Sequence, residues 1–73
     1  LALIKLNRLK EASRAIERAL KIEPSNPDYL AEAGHIYLKL KLSGRAKSNF
    51  EAALKISPSH KSAAEGMENL KVS

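Results

Sequence analysis

A helix with clear start and end signals is predicted between residues 26 and 40. Asn26 is a residue type that caps helix N-termini, and Pro27 follows at the first helical position, where no backbone N–H is needed. Beyond it, small or apolar residues recur at helical spacing: Leu30, Ala33, Gly34, Tyr37 and Leu38. We expect this helix to end near Leu40, where Lys39 and Lys41 suit the negative end of the helix dipole.

A second helix is predicted from Ser43, which can act as its N-cap. Its apolar face consists of Ala46, Phe50, Ala53, Leu54 and Ile56. Pro58, which stands between two serines, ends this helix. The same second-helix pattern occurs earlier in the chain and closes at Pro24; its apolar positions are Ala12, Ile16, Ala19 and Leu20.

The two second-helix segments are related by a shift of 34 residues. When residues 12–25 are laid over residues 46–59, eight of the fourteen positions are identical. The identical pairs are Ala12/Ala46, Glu17/Glu51, Ala19/Ala53, Leu20/Leu54, Lys21/Lys55, Ile22/Ile56, Pro24/Pro58 and Ser25/Ser59. Shared composition does not produce an ordered match of this kind, so the sequence indicates a true internal repeat.

The period and its marked positions resemble the tetratricopeptide repeat. The matching residues are Leu30, Ala33, Gly34, Tyr37, Ala46, Phe50, Ala53 and Pro58. Leu30 departs from the family, which often has tryptophan at that position. The resemblance implies an all-α fold, in which antiparallel helix–turn–helix repeats stack as an α-solenoid with a right-handed superhelical twist.

The resemblance divides the chain into three parts. Residues 27–60 make one complete repeat, and residues 1–26 resemble the end of a first helix plus the second helix of a preceding, truncated repeat. Ala12, Ala19 and Pro24 would be the packing residues of that preceding repeat. Residues 61–73 align poorly with a further first helix, because Glu68 and Lys71 stand where the complete repeat has Gly34 and Tyr37. We expect this last segment to be a C-terminal capping helix.

The composition points away from catalysis. The 73 residues include no cysteine and carry a formal charge of +5. Neither His35 nor His60 has a carboxylate or second histidine at a spacing typical of a metal or base site, and we expect His60 to be a solvated loop or cap residue. No glycine-rich phosphate loop is present. The sequence therefore predicts no enzyme and no cofactor. No apolar run reaches the roughly 20 residues of a membrane span, and the composition is compatible with the cytoplasm.

The resemblance implies a scaffold that binds a peptide or partner helix in a concave groove, within a larger assembly. The groove residues would be Ile4, Lys5, Asp28, Ala31, Glu32, His35, Leu38, Lys39, Ser62, Glu65 and Asn69. The mixed charge of this set disfavours capture of a chaperone's C-terminal carboxylate. A homo-oligomer is the alternative, because isolated arrays need about three repeats for stability and the apolar front of the chain, Leu1 to Leu6, would lack cover.

A basic edge is also predicted. Around the two expected turns within the helix pairs lie Lys5, Arg8 and Lys10, and Lys39, Lys41, Arg45 and Lys47. These cations can simply complement helix C-termini and keep the surface soluble. They can also bind an acidic protein surface or nucleic acid. The sequence disfavours nucleic acid, since no aromatic residue is interleaved with the cations for base stacking.

Overall fold

The structure, a computed structural model, describes the backbone of residues 2–72 and the side chains of residues 8–71. Four helices follow one another: α1 (Ala2–Ile22), α2 (Pro27–Lys39), α3 (Ser43–Ile56) and α4 (Lys61–Val72). Residues 2–72 contain no β-strand. The all-α prediction is therefore confirmed, with α2 and α3 as the helix pair of the complete repeat.

The start of α2 follows the predicted capping pattern. The Asn26 side-chain oxygen accepts hydrogen bonds from the backbone N–H groups of Asp28, at 2.9 Å, and Tyr29, at 3.2 Å. These bonds satisfy two of the donors that the first turn of a helix leaves without an intrahelical partner. Pro27 occupies the first helical position, so Asn26 and Pro27 together fix where α2 begins.

The turn between α2 and α3 is a tight C-cap. The N–H of Leu42 bonds to the Tyr37 carbonyl at 2.8 Å, and the N–H of Lys41 bonds to the Leu38 carbonyl at 3.0 Å. Lys41 takes a left-handed conformation, with φ 62°. This is the Schellman pattern, in which glycine usually occupies the left-handed position.

The prediction that Ser43 caps α3 is wrong. Leu42 stands at the N-cap, its carbonyl accepts from the Ala46 N–H, and no side chain caps the helix. Because the tight turn ends at Leu42, Ser43 is already the first residue of α3. Its hydroxyl therefore does not occupy the N-cap position.

The turn predicted among Lys5, Arg8 and Lys10 is absent, because α1 is one continuous helix of 21 residues. The truncated repeat therefore has no separate end of a first helix. Where the complete repeat has Ser43 and Gly44, the aligned positions are Leu9 and Lys10. Leucine and lysine are good helix formers, so the sequence lacks an interruption at this point.

The core lies where α2, α3 and α4 meet. Phe50 on α3 is fully buried, as are Ala46 and Ala53 on the same face, whereas Ile56, also predicted on this face, is 47 % exposed at the end of the helix. Ala33 on α2 and Ala63 on α4 are likewise 0 % exposed. Small residues at these positions let the helix backbones approach closely around the single large ring of Phe50. Burial of this ring stabilises the folded state by about 2 kcal/mol.

Helix α4 packs on both α2 and α3 at the C-terminal end of the helix array. A Cβ atom built on Gly66 would collide with the ring of Phe50, so the close approach of α4 depends on glycine at this position. Met67 and Leu70 pack against the edge of the core and are half-buried. This arrangement matches the predicted capping helix.

Candidate functional site

The predicted groove residues divide by exposure. Five have exposed side chains: Asp28, Glu32, Lys39, Glu65 and Asn69. His35, Leu38 and Ser62 are half-buried, and Ala31 is buried. Ile4 and Lys5 lie outside the described side chains. We call the five exposed residues on α2 and α4 the inner face.

Ala31 is a correction to the predicted groove, because only 1 % of it is exposed. Helical spacing places it on the same stripe of α2 as Asp28 and His35. Those two side chains contact His60, just before α4, and Ser62, in its first turn. His35 on this stripe therefore packs against α4 and Ala31 is covered, whereas Asp28 stays exposed.

His35 also packs between helices. Its Nε2 lies 3.0 Å from the Ser62 carbonyl oxygen and 3.0 Å from Ser62 Oγ. Its ring meets Phe50 edge-on, with 4.9 Å between the ring centroids. The prediction that His35 points into the groove is thus replaced by a role in joining α2, α3 and α4.

His60 is a cap residue, one of the two roles expected for it. Its Nδ1 accepts from the backbone N–H of Ala63 at 3.2 Å, in the first turn of α4. Its Nε2 donates to Asp28 Oδ1 at 2.7 Å. The His60 side chain is 15 % exposed, whereas that of Asp28 is 83 % exposed. Sequence reasoning missed this link because residues 28 and 60 come together only when α4 folds back on α2.

A second polar link joins the first three helices. The Tyr37 hydroxyl on α2 donates to Glu17 Oε1 on α1 at 3.2 Å, and the Arg45 guanidinium on α3 lies 5.9 Å from the Tyr37 ring centroid. Burial raises the pKa of Tyr37 above the usual 10.0, and the negative charge and hydrogen bond of Glu17 add to this effect. Arg45 opposes the rise in the pKa of Tyr37 but does not cancel it.

The basic-edge residues Arg8, Lys10, Lys41, Arg45 and Lys47 are all exposed. Arg8 and Lys10 lie on the continuous helix α1, so the prediction that they surround a turn is wrong. Arg8 still lies near Lys39, since the two line one groove with Leu9 and Ala12. Arg45 is engaged with the Tyr37 ring.

An apolar groove runs between α1 and α2. Its lining residues are Ala12, Ala15, Ile16, Ala19, Tyr29, Glu32 and Ile36. Ala12 and Ala19 are half-buried here, whereas their counterparts Ala46 and Ala53 on α3 are covered completely. On the corresponding face of α1, Ile16 is buried in the core, whereas Ala12 and Ala19 are covered only in part.

The described residues hold neither a metal-binding cluster nor a membrane-spanning helix. Among side chains 8–71, no three histidine, aspartate or glutamate residues are grouped to hold a metal ion. Within the same described part of the chain, no helix is both long enough and apolar enough to cross a bilayer. The polar contacts found at α4 and Tyr37 are links between helices.

A family model matches the chain at two adjacent places, residues 1–26 and residues 27–60. The family is described as tetratricopeptide repeat. The two matches coincide with the 34-residue period of the sequence and with the helix pair α2 and α3. Neither the curated proteins nor the solved structures give a significant match.

Proposed function

Because the chain belongs to the tetratricopeptide repeat family, whose repeats generally mediate protein–protein interaction, we propose that its inner face binds a peptide or partner helix within a larger assembly. Members of this family are typically non-catalytic scaffolds. The proposal concerns the place of binding: Asp28, Glu32 and Lys39 on α2, with Glu65 and Asn69 on α4.

The observation that carries this proposal is the direct packing of α2 on α4. Asp28 and His35 on α2 contact His60 and Ser62 at the start of α4, and this contact supports a surface shared by the exposed side chains of the two helices. Stacked repeats of this kind use such extended surfaces for binding. Carboxylates at Asp28, Glu32 and Glu65, and the ammonium of Lys39, supply acceptors and donors for the backbone and side chains of a ligand.

The test needs a defined ligand. Peptides selected from a random displayed library against the immobilised chain are titrated by calorimetry against purified variants. Glu32→Ala and Lys39→Ala remove inner-face side chains, and we expect each to weaken binding roughly tenfold, as removal of a charge-assisted hydrogen bond does.

The matched controls are Glu51→Ala and Lys55→Ala, which remove the same residue types from exposed positions on α3. We expect the controls to bind as the parent does. An equal loss of peptide affinity in both sets of variants, or no loss of affinity in the inner-face set, would contradict the proposed site.

Self-association is the second candidate, and the open groove between α1 and α2 favours it. The groove exposes part of Ala12 and Ala19, small apolar residues whose counterparts on α3 are buried by a helix. A helix from a second copy would cover this surface. Sedimentation equilibrium distinguishes the two cases: a dimer that Ala19→Glu converts to monomer supports self-association, and a monomeric parent chain excludes it.

A further inference from the structure

The apolar groove between α1 and α2 extends toward the start of α1. Ala12 lines this groove and also lines the neighbouring depression formed with Arg8, Leu9 and Lys39, so the two adjoin. We call the combined surface the α1–α2 groove. Its charged lining residues are Arg8 and Lys39 at one end and Glu32 on the side of α2, and all the others are apolar or aromatic. The groove is separate from the inner face, although Glu32 and Lys39 border both.

The internal repeat indicates which kind of element fits this groove. The 34-residue shift pairs Ala12 with Ala46 and Ile22 with Ile56. Ala46 is fully buried and Ile56 is 47 % exposed, whereas Ala12 is half-buried and Ile22 is 82 % exposed. On α3 the corresponding face packs against a helix, α2. A further helix is therefore the element that would cover the less buried positions of α1.

The dimensions of α1 agree with a helical occupant. From Arg8 to Ile22, α1 is about 20 Å long at 1.5 Å per residue, which is also the length of the 13-residue helix α2. Ala12 and Ala19 are both half-buried and lie two helical turns apart on one face of α1. Their small side chains leave room for large apolar side chains at the same spacing on an adjacent helix.

The cations at the end of the groove determine the charge of the occupant. Arg8 and Lys39 are exposed, and neither is paired with a carboxylate among the described residues. The C-terminal end of a helix is the negative end of its dipole and is stabilised by nearby cations. A helix antiparallel to α1 places this end beside Arg8 and Lys39, where carboxylates in its last turn form charge-assisted hydrogen bonds.

We propose that the α1–α2 groove binds a helix of another protein, antiparallel to α1, with carboxylates of its last turn beside Arg8 and Lys39. Large apolar residues of this helix, two turns apart, pack on Ala12 and Ala19. The partner is thus an amphipathic helix with an acidic C-terminal end.

A second copy of the chain has no helix of this kind. Each of the four helices has a lysine in its last turn: Lys21, Lys39, Lys55 and Lys71. None of these turns contains aspartate or glutamate. Any helix of a second copy that entered the groove in this direction would bring its lysine to Arg8 and Lys39, and like charges placed together are unfavourable.

The probe for this groove is a selected helical peptide. A displayed library of alanine-based helices with randomised positions, each about 14 residues long to match the groove, is selected on the parent chain and counter-selected on Ala15→Gln. Ala15 lines the groove and is exposed, so the longer glutamine side chain blocks the groove and leaves the core intact. We expect the recovered peptides to carry carboxylates in their last turn. Recovery only of peptides that bind Ala15→Gln as tightly as the parent would overturn the proposal.

Charge reversal tests the orientation of the bound helix by fluorescence anisotropy. Arg8→Glu should weaken binding of a recovered peptide roughly tenfold, as loss of a charge-assisted contact does, and lysines in place of the last-turn carboxylates of the peptide should restore it. Arg14→Glu is the control, because Arg14 is exposed on α1 and does not line the groove. Equal weakening by the two substitutions, or carboxylates that recur in the first turn of the peptides, would contradict the proposed orientation.

Two further measurements separate this groove from the other surfaces. Glu65→Ala, on the inner face, should leave the affinity for the peptide unchanged, so failure of the inner-face proposal does not affect this test. A loss of affinity equal to that of Arg8→Glu would place the peptide elsewhere. Sedimentation equilibrium of the parent chain should give a monomer, and a dimer that the peptide dissociates would show that a second copy occupies the groove. Either result would overturn the proposal.

Discussion

Gly34 and Phe50 are in such close contact that a Cβ atom on Gly34 would lie 2.5 Å from Cε1 of the Phe50 ring. The ring has little room to retreat, because it is 0 % exposed and its tip also touches α4 at Gly66. The absence of one methyl group thus sets the separation of α2 and α3. The repeat pattern marks both positions, and this contact is the physical reason for their residue types.

Gly34→Ala should therefore destabilise the fold despite the better helix propensity of alanine. We expect a loss of about 1–3 kcal/mol in the free energy of unfolding, typical of overpacking. Urea denaturation followed by circular dichroism measures it. Gly44→Ala is the control, since a Cβ at Gly44 meets nothing within 4 Å; it should stabilise by up to about 1 kcal/mol. Equal effects at the two positions would contradict the contact.

Two isoleucines of α1 differ in burial. Ile16 is 6 % exposed and belongs to the core cluster, whereas Ile22 is 82 % exposed. Ile16→Ala should lower the free energy of unfolding by about 2–4 kcal/mol, because it removes buried methyl groups and leaves a cavity. Ile22→Ala should change stability by no more than about 0.5 kcal/mol. Comparable melting temperatures for the two variants would mean that α1 does not pack on α2 as described.

Lys41 has the positive φ of a left-handed residue, 62°, which a side chain disfavours. Lys41→Gly should stabilise the fold by about 1 kcal/mol, because glycine adopts this conformation without a Cβ clash. Thermal unfolding measures the gain. Lys39→Gly, placed in the last turn of α2, should instead destabilise. A loss of stability in Lys41→Gly would show that this turn is not left-handed.

Tyr37 should make stability fall in alkali. Burial and Glu17 raise the pKa of Tyr37 above its usual value, so the folded state favours the protonated phenol. Its contribution is fully present below about pH 10, the ordinary titration point of tyrosine, and is lost as the pH rises through the higher pKa of the folded state. The melting temperature of the parent chain should therefore fall more steeply above about pH 10 than that of Tyr37→Phe.

Glu17→Gln offers a second check on this link. The amide oxygen can still accept from the Tyr37 hydroxyl, but the negative charge is gone. Ultraviolet titration of the phenolate should therefore give a lower pKa for Tyr37 in the variant than in the parent chain, since the negative charge that contributes to the rise is removed. An unchanged Tyr37 pKa would mean that the Glu17 contact does not form in solution.

Local signals in the sequence predicted those parts of the fold that depend on neighbouring residues. The cap at Asn26 and the end of α3 before Pro58 are examples, because Asn26 and Pro58 act within a few residues of themselves. The missing turn in α1 could also have been recognised, since Leu9 and Lys10 replace the Ser43–Gly44 pair of the complete repeat.

The contacts at α4 could not be predicted in this way. The bond from His35 to Ser62 spans 27 residues, and the bond from His60 to Asp28 spans 32. Both depend on the close approach of α4 to the α2–α3 pair, and this approach needs the glycine at position 66 against Phe50. The 34-residue alignment instead placed Glu68 opposite Gly34, and therefore did not mark Gly66 as the close contact.

The most direct test of the proposed function is to map a selected peptide on the isotope-labelled chain by NMR. We expect amide shifts on binding to concentrate in α2 and α4, around Glu32, Lys39 and Glu65, with α3 positions such as Glu51 and Lys55 unmoved. Shifts centred on α1, around Ala12, Ala15 and Ala19, or on the exposed face of α3, would contradict binding at the inner face.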